Sequence, residues 1–281
     1  MERESRFSLI KSRRTFIFFL GLIILFTLII GPIFWLFINS FKTNVDALAS
    51  PPALIFKPII SNYIKVLKTF NFGRAFLNSL IVALASTTLV LIFGTPAAYV
   101  LARFRFKGKL ALSFIILASR MIPTIAIGIP MYMIMKKFEM LDTQIALIAS
   151  YVAFNLPFGI WLLTGFVRMI PKELEEAASI DGCTRFQAFS RVILPLLGPG
   201  LAAVGILITI SCYREFFLPL ILTSQKAKPL SVLAGQFITE QGIDWGQLSA
   251  FAMITFLPVI AIAVYAQRYL ISGLTMGAVK E

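Results

Sequence analysis

The chain has 281 residues, of which 58% are hydrophobic and 14% are charged, and its formal net charge at pH 7 is +13. A soluble domain of this length needs more polar residues to cover its surface, so the composition excludes an ordinary water-soluble protein. Nucleic acid is disfavoured as a partner because the basic residues lie in short segments between apolar runs. Histidine is absent and the two cysteines have no CxxC spacing, so the sequence suggests no catalytic residue and no metal site.

Long uncharged runs predict membrane-spanning helices and hence an all-α polytopic membrane protein. Thr15 to Ile38, Ala75 to Ala102 and Thr143 to Val167 hold 24, 28 and 25 residues without a charge. Each run exceeds the roughly 20 residues that a helix needs to cross about 30 Å of hydrocarbon. The first run is too long for the apolar part of a signal peptide. Six spans are predicted, at residues 15–38, 75–101, 110–135, 143–167, 196–222 and 248–270.

Two of these spans contain charges: Arg120 lies in the third, and Arg214 and Glu215 lie in the fifth. Charges inside a membrane are costly unless they are paired or hydrated, so they are candidates for function. In the functional interpretation they line a solute pathway. The alternative is structural, with an Arg–Glu pair between helices, and with interhelical hydrogen bonds for Tyr151 and Asn155. The possible pathway residues are Arg120, Tyr151, Asn155, Tyr213, Arg214 and Glu215.

The distribution of lysine and arginine predicts the orientation. One side of the membrane receives fifteen basic residues, mainly from 1–14, 103–109 and 168–195, and the other side receives nine. Because such residues concentrate in the cytosol, we expect 168–195 and both termini to be cytosolic. The chain is thus predicted to be one transmembrane domain, 15–271, between tails 1–14 and 272–281.

The only sizeable predicted cytosolic segment runs from Glu173 to Pro195 and reads ELEEAASIDGCTRFQAFSRVILP. Pro171 suits the first position of a helix, and Gly182 suits the left-handed position just past its end. A second short helix is predicted from Thr184 to Pro195. This helix–glycine–helix elbow either lies flat on the membrane or docks into a groove of a soluble partner. The paired alanines favour docking.

The stretch PKELEEAASIDGCTRFQAFSRVILPLLGP closely resembles the Glu-Ala-Ala (EAA) loop of the permease subunits of bacterial ATP-binding-cassette (ABC) importers. Four other stretches resemble, in order, the smaller permease of the maltose-importer type: NSLIVALAST, AAYVLARFRFKGK, YVAFNLPFGIWLLTGFVRMIPKELEEAA and QRYLISGLTMGAVK. The likeness covers nearly the whole chain. It implies the type I ABC importer permease fold in the bacterial cytoplasmic (inner) membrane, with six transmembrane helices and a cytosolic coupling-helix loop, 168–195.

The resemblance also implies a mechanism, in which the loop docks on a cytosolic ATPase and ATP-driven closure moves the transmembrane bundle. The implied partners are two ATPase subunits, a second permease subunit, an extracytoplasmic binding protein that delivers a sugar or sugar derivative, and membrane lipids. The chain has no GxxxxGK[ST] motif, so ATP and Mg²⁺ are expected on the ATPase subunits and no cofactor on this chain. The implied ATPase-coupling residues are Leu174, Glu176, Ala177, Ala178, Asp181, Gly182 and Phe186, and the implied C-terminal ATPase contact is Gly277, Ala278, Val279 and Lys280.

Other classes of protein explain fewer of these features. An ion-coupled secondary transporter should show inverted repeats and a carboxylate near the middle of the membrane. No repeat is evident in the sequence, and Glu215 alone is weak support for ion coupling. The sequence does not support an intramembrane enzyme, because it has no GxSG-like nucleophile motif and no paired intramembrane aspartates that could act in catalysis. A channel leaves the EAA elbow unexplained. The outer segment 223–247 has two possible interpretations, a surface that contacts the binding protein or a solvated connection, and the sequence does not decide between them.

Overall fold

The computed structural model describes residues 2–69, 71–239 and 242–275. The chain is mostly helical, as its apolar runs predict. The predicted C-terminal ATPase contact, residues 277–280, lies outside the described residues.

The chain divides into two compact units, formed by residues 1–70 with 236–256 and by 71–235 with 257–281. In the first unit, α1 (Glu2–Ser40) continues without a break through the predicted N-terminal tail. None of the residues in its most apolar 18-residue window is buried, so this window has the exposed apolar surface expected of a membrane span. The unit also contains α2 (Asn44–Leu48), α3 (Ser61–Thr69) and the paired antiparallel strands β1 (Ile238–Thr239) and β2 (Gly242–Ile243).

The second unit is built on α4 (Phe72–Arg103) and α7 (Gln144–Met169), which run in the same direction. Near their starts, Gln144 Nε2 donates a hydrogen bond to Asn78 Oδ1 at 2.7 Å. At their other ends, Arg103 Nη2 donates to the carbonyl oxygen of Ile170 at 2.7 Å. The two helices are therefore tied together at both ends.

Close packing between these helices depends on a glycine. A Cβ at Gly159 of α7 would lie 2.7 Å from Val90 Cγ1 of α4, a distance that real Cβ atoms essentially never show. Helix α11 (Gly198–Arg214) packs on α4 as well, where the hydroxyls of Thr87 and Thr209 are hydrogen-bonded at 2.9 Å. Small side chains and hydroxyl pairs of this kind join helices where apolar burial supplies no driving force.

The third and fifth predicted spans are broken rather than continuous. The third consists of α5 and α6, which meet at 90° around Arg120 to Pro123. Pro123 precedes the first residue of α6 and has a non-helical ψ of 138°, and its ring disfavours a helical conformation in the residue before it. The fifth span follows a 70° bend at Leu197 and is interrupted again at Glu215. The remaining helices are α5 (Lys109–Ser119), α6 (Thr124–Lys137), α8 (Glu173–Ile180), α9 (Arg185–Ala188), α10 (Leu194–Leu196), α12 (Phe217–Leu222), α13 (Leu230–Leu233) and α14 (Trp245–Thr275).

Candidate functional site

The elbow begins with α8, which ends in the hydrogen bonds of a Schellman motif. Gly182 has φ +84°, its N–H donates to the Ser179 carbonyl at 3.1 Å, and the Cys183 N–H donates to the Ala178 carbonyl at 2.9 Å. The motif needs a left-handed residue at this position, and glycine adopts that conformation without the steric cost of a Cβ. The predicted left-handed conformation of Gly182 is confirmed. The helix starts at Glu173, two residues after the predicted start at Pro171.

The second arm of the elbow starts with a capping box. Thr184 Oγ1 accepts a hydrogen bond from the Gln187 N–H at 3.3 Å, and Gln187 Oε1 accepts one from the Thr184 N–H at 2.8 Å. A π-helical turn, Phe189–Ile193, connects α9 to α10. Because the Schellman motif and the capping box are adjacent, both sides of the elbow's turn are fixed by hydrogen bonds.

The apolar side chains of the elbow are divided between its interior and its surface. Ala178 and Ile193 are buried, at 7% and 0% exposure. Phe186 and Ile180 are 75% and 87% exposed, and Leu174 is 41% exposed. Large apolar side chains left uncovered on an otherwise polar segment indicate an interaction surface.

The predicted coupling residues therefore have different environments. Glu176, Ala177, Asp181 and Gly182 are exposed, as are Leu174 and Phe186, whereas Ala178 packs inside. Successive helical residues are about 100° apart around the axis, and of this pair only Ala177 is exposed. Sequence reasoning missed Ile180, because a single apolar residue before Asp-Gly has no periodic signal.

Glu175 is a second residue that sequence reasoning missed. Its carboxylate faces the end of α4, where Tyr99 and Arg103 bind its two oxygens. Its neighbours Glu173 and Glu176 are exposed and carry the same charge. Only the packing of α8 against α4 distinguishes Glu175 from them.

Arg120 lies at the break between α5 and α6 and contacts α7. Its guanidinium carbon is 3.8 Å from the centre of the Phe154 ring and 5.5 Å from that of Phe158. Its Nη1 also donates to the Phe154 carbonyl at 3.2 Å. Arg120 is thus held by cation–π contacts and a carbonyl oxygen rather than by a carboxylate.

Arg214 and Glu215 lie at the break between α11 and α12. Glu215 Oε1 accepts hydrogen bonds from the N–H groups of Phe217 and Leu218, at 3.1 and 3.4 Å, and so caps the first turn of α12. Within the described part of the chain, no acidic oxygen lies within 4.0 Å of the basic nitrogens of Arg120 or Arg214. The Arg–Glu pair that was the structural alternative is not formed there, and Arg214 is exposed.

Asn155 connects α7 to α11. Its Nδ2 donates to the Tyr151 carbonyl at 2.9 Å and contacts Cys212 Sγ at 3.5 Å, and its Oδ1 accepts a hydrogen bond from Ser211 Oγ at 3.2 Å. Tyr151 and Tyr213 are only 3% and 8% exposed. This arrangement favours the interhelical role for Asn155 over direct contact with a solute.

Asp142 shapes the segment after α12, at the end of the second unit where α4 and α7 begin. Its carboxylate accepts hydrogen bonds from the backbone N–H groups of residues 224–227, at 2.9–3.2 Å. Asn78 adds hydrogen bonds to the carbonyls of Lys226 and Lys228. Burial raises the pKa of the Asp142 carboxyl, but the N–H donors outweigh burial and hold the pKa well below its ordinary value. Residues 224–227 are therefore held in a fixed conformation by Asp142, and residues 224–226 stay exposed.

We expect Asp142→Asn to lower the thermal stability of the purified protein by on the order of 1–2 kcal/mol, since charge-assisted hydrogen bonds are lost. The folded-state pKa is depressed, so the stabilisation is present above the unfolded-state pKa of about 3.9 and is lost as the pH falls below it. Thermal unfolding in detergent from about pH 2 to pH 8 measures this. A variant that melts like the wild type at pH 7 would contradict the role of Asp142.

Residues 94–275 match a protein family described as the inner membrane component of binding-protein-dependent transport systems. The chain belongs to this family. The matched region contains the elbow and both broken spans. The permease is therefore the membrane component of a binding-protein-dependent ABC importer, as its EAA loop implied.

Two relatives resemble the permease over almost its full length. It is 36% identical to the diacetylchitobiose uptake system permease protein DasC of Streptomyces coelicolor over 92% of this chain and 94% of the relative. It is 32% identical to the trehalose/maltose transport system permease protein MalG of Thermococcus litoralis, over 93% and 95% of the two chains. Both relatives are named as permeases of sugar transport systems.

The fold is also that of a solved importer. A chain from the crystal structure of a bacterial ABC transporter that imports the acidic polysaccharide alginate matches with a TM-score of 0.77 and 24% identity, covering 92% of the permease and 97% of that chain. The predicted type I ABC importer permease fold is confirmed.

Proposed function

We propose that the permease forms, together with a second and different permease subunit, the pathway for a sugar or sugar derivative. The observation that carries this proposal is the full-length similarity to relatives that are named for diacetylchitobiose and for trehalose and maltose. A disaccharide or a glycoside of similar size is therefore the proposed solute. An extracytoplasmic binding protein delivers it, and the surface ordered by Asp142 is the proposed contact for that protein.

The proposed source of energy is a pair of cytosolic ATPase subunits that hold ATP and Mg²⁺, while the permease itself is not catalytic. In this proposal both termini and the elbow are cytosolic. The elbow docks on an ATPase through Leu174, Ile180 and Phe186, whose exposure supports a protein contact. Glu176, Ala177, Asp181 and Gly182 lie on the same elbow and complete the docking surface, and Ala178 supports it from inside.

The structure of the fifth span helps to decide between an ABC importer and an ion-coupled secondary transporter. Glu215 was the only candidate carboxylate for ion coupling, and it accepts two backbone hydrogen bonds as the cap of α12. A carboxylate used in this way is poorly placed to exchange an ion in each transport cycle. This observation favours the ABC importer over the ion-coupled secondary transporter.

Purification of the tagged permease from its native membranes, with identification of co-purifying subunits by mass spectrometry, tests the proposal. We expect an ATPase and a second permease, with ATP hydrolysis stimulated by the matching binding protein. Uptake of diacetylchitobiose, trehalose and maltose into proteoliposomes then tests the solute class. If the permease were purified alone, without an ATPase, the proposal would be contradicted and an ion-coupled secondary transporter would be the better interpretation.

Arg214→Ala tests the proposed pathway. Arg214 is exposed at the break and has no acidic partner within 4.0 Å among the described residues, so its removal should leave assembly intact. If it hydrogen-bonds the solute, we expect KM for uptake to rise by about ten-fold, as for one charge-assisted hydrogen bond. Arg214→Lys, which keeps the charge, should lose less. A change in yield with an unaltered KM would assign Arg214 a structural role.

A further inference from the structure

Three residues join the first arm of the elbow to the end of α4. Tyr99 Oη donates a hydrogen bond to Glu175 Oε2 at 2.8 Å, and Arg103 Nε donates to Glu175 Oε1 in an ion pair. Arg103 Nη2 also donates to the Ile170 carbonyl, between α7 and α8. We call Tyr99, Arg103 and Glu175 the elbow clamp.

The elbow clamp is largely shielded from solvent. The side chains of Arg103 and Glu175 are only 7% and 16% exposed. Ion pairs on the surface contribute little because water and salt screen them, whereas removing one partner of a buried pair leaves an uncompensated charge. Removing one of the two charges should therefore weaken the attachment of α8 to α4.

The second arm of the elbow rests on the same end of α4. The ring of Tyr99 is 4.8 Å from the ring of Phe189, in the π-helical turn. The guanidinium carbon of Arg185 lies 5.2 Å from the centre of the Phe104 ring, just beyond α4. Both arms therefore contact the end of one transmembrane helix, and Tyr99 contacts both arms.

The backbone connection between α7 and α8 is not helical. Residues 170–172 separate the two helices, and Ile170 has extended dihedral angles, φ −75° and ψ 126°. Short non-helical connections absorb changes in φ and ψ and act as hinges. If a movement of α8 were transmitted to α7 only through this connection, part of it would be absorbed by rotation about the backbone dihedral angles.

We propose that the elbow clamp transmits movement between the elbow and α4, so that Tyr99, Arg103 and Glu175 are positioning residues for coupling ATP hydrolysis to transport. The clamp bypasses the non-helical connection, because it joins α8 directly to a helix that packs along both α7 and α11. This inference rests on the proposed function, in which the elbow docks on an ATPase.

The test uses the complex purified from native membranes and reconstituted in proteoliposomes. ATP hydrolysis is measured with and without the solute-binding protein recovered from the same cells. For Glu175→Gln, we expect the stimulation by the binding protein to fall by about ten-fold, the factor for one charge-assisted hydrogen bond. Glu173→Gln removes the same charge from an exposed position on the same helix, and should retain wild-type stimulation.

Two further measurements separate coupling from folding. Hydrogen–deuterium exchange of the α8 amides should become faster in Glu175→Gln but not in Glu173→Gln. The double variant Arg103→Gln with Glu175→Gln should lose less than the sum of the two single losses, because both changes remove the same Arg103–Glu175 ion pair. If Glu175→Gln does not assemble, Tyr99→Phe keeps the ring against Phe189, removes one hydrogen bond, and should show a smaller loss of stimulation.

The outcomes distinguish the clamp from the proposed function. A wild-type complex that lacks an ATPase, or whose hydrolysis the binding protein does not stimulate, would overturn both. A stimulated wild type with an equally stimulated Glu175→Gln would overturn the clamp alone. Faster exchange in α8 with unchanged stimulation would also overturn it, since the clamp would then hold the elbow without transmitting movement.

Discussion

Phe186→Ala is expected to release the ATPase subunits while leaving the permease folded in the membrane. Phe186 is 75% exposed, so its side chain contributes little to the packing of the permease itself. An aromatic side chain at the centre of a protein interface contributes about 2 kcal/mol or more, which weakens binding roughly 30-fold. The amount of ATPase that co-purifies with the tagged permease, titrated against ATPase concentration, measures the loss.

Phe138→Ala is the matched control for this experiment. Phe138 is similarly exposed, at 66%, but it follows the end of α6 rather than lying on the elbow. We expect Phe138→Ala to retain the ATPase. Equal retention by both variants would show that the elbow does not dock through Phe186.

Gly182→Val is expected to uncouple ATP hydrolysis from transport without removing the permease from the membrane. The position has φ +84°, and the left-handed conformation costs an L-residue about 1–2 kcal/mol, with β-branched side chains the least tolerant. Loss of the Schellman motif would change the angle at which the two arms meet. Hydrolysis by the reconstituted complex should then no longer respond to the binding protein.

Gly182→Asn separates backbone strain from steric overlap. Nothing lies within 4 Å of a Cβ built at Gly182, so the Cβ that both substitutions add meets no neighbouring atom of the permease. Asparagine tolerates the left-handed region better than valine does, and should retain most of the response. If the valine variant responds as the wild type does, the angle at Gly182 is not needed for coupling.

Much of the fold follows from the sequence because membrane spans and helix ends are local properties. An uncharged run such as Thr143 to Val167 can satisfy its backbone in hydrocarbon only as a helix, and α7 covers this run. The left-handed Gly182 and the start of the second arm at Thr184 are also local, since both are set by hydrogen bonds within a few residues. These features were predictable without knowledge of the neighbouring helices.

The breaks in the third and fifth spans were not predictable from hydropathy. A window over the third span registers apolar residues whether or not the helix bends, so hydropathy placed Arg120 inside a span without locating the break beside it. In the folded permease it lies at a 90° break and rests on Phe154 of α7. Glu215, which stands beside Arg214 in sequence, instead caps α12. The groups that Arg120 and Glu215 contact depend on which helices pack beside them, and hydropathy does not report that packing.

The membrane class, the approximate spans and the helix–glycine–helix elbow follow from composition and from hydrogen bonds between near neighbours, whereas the EAA loop was found through its resemblance to known permeases. Packing between helices, in contrast, sets which alanine of the pair faces inward, leaves Ile180 and Phe186 uncovered, and gives Glu175 alone among its acidic neighbours its partners. Tyr99 and Arg103 lie more than seventy residues before Glu175 in the chain. Their meeting depends on the parallel packing of α4 and α7, which brings both helix ends to the elbow.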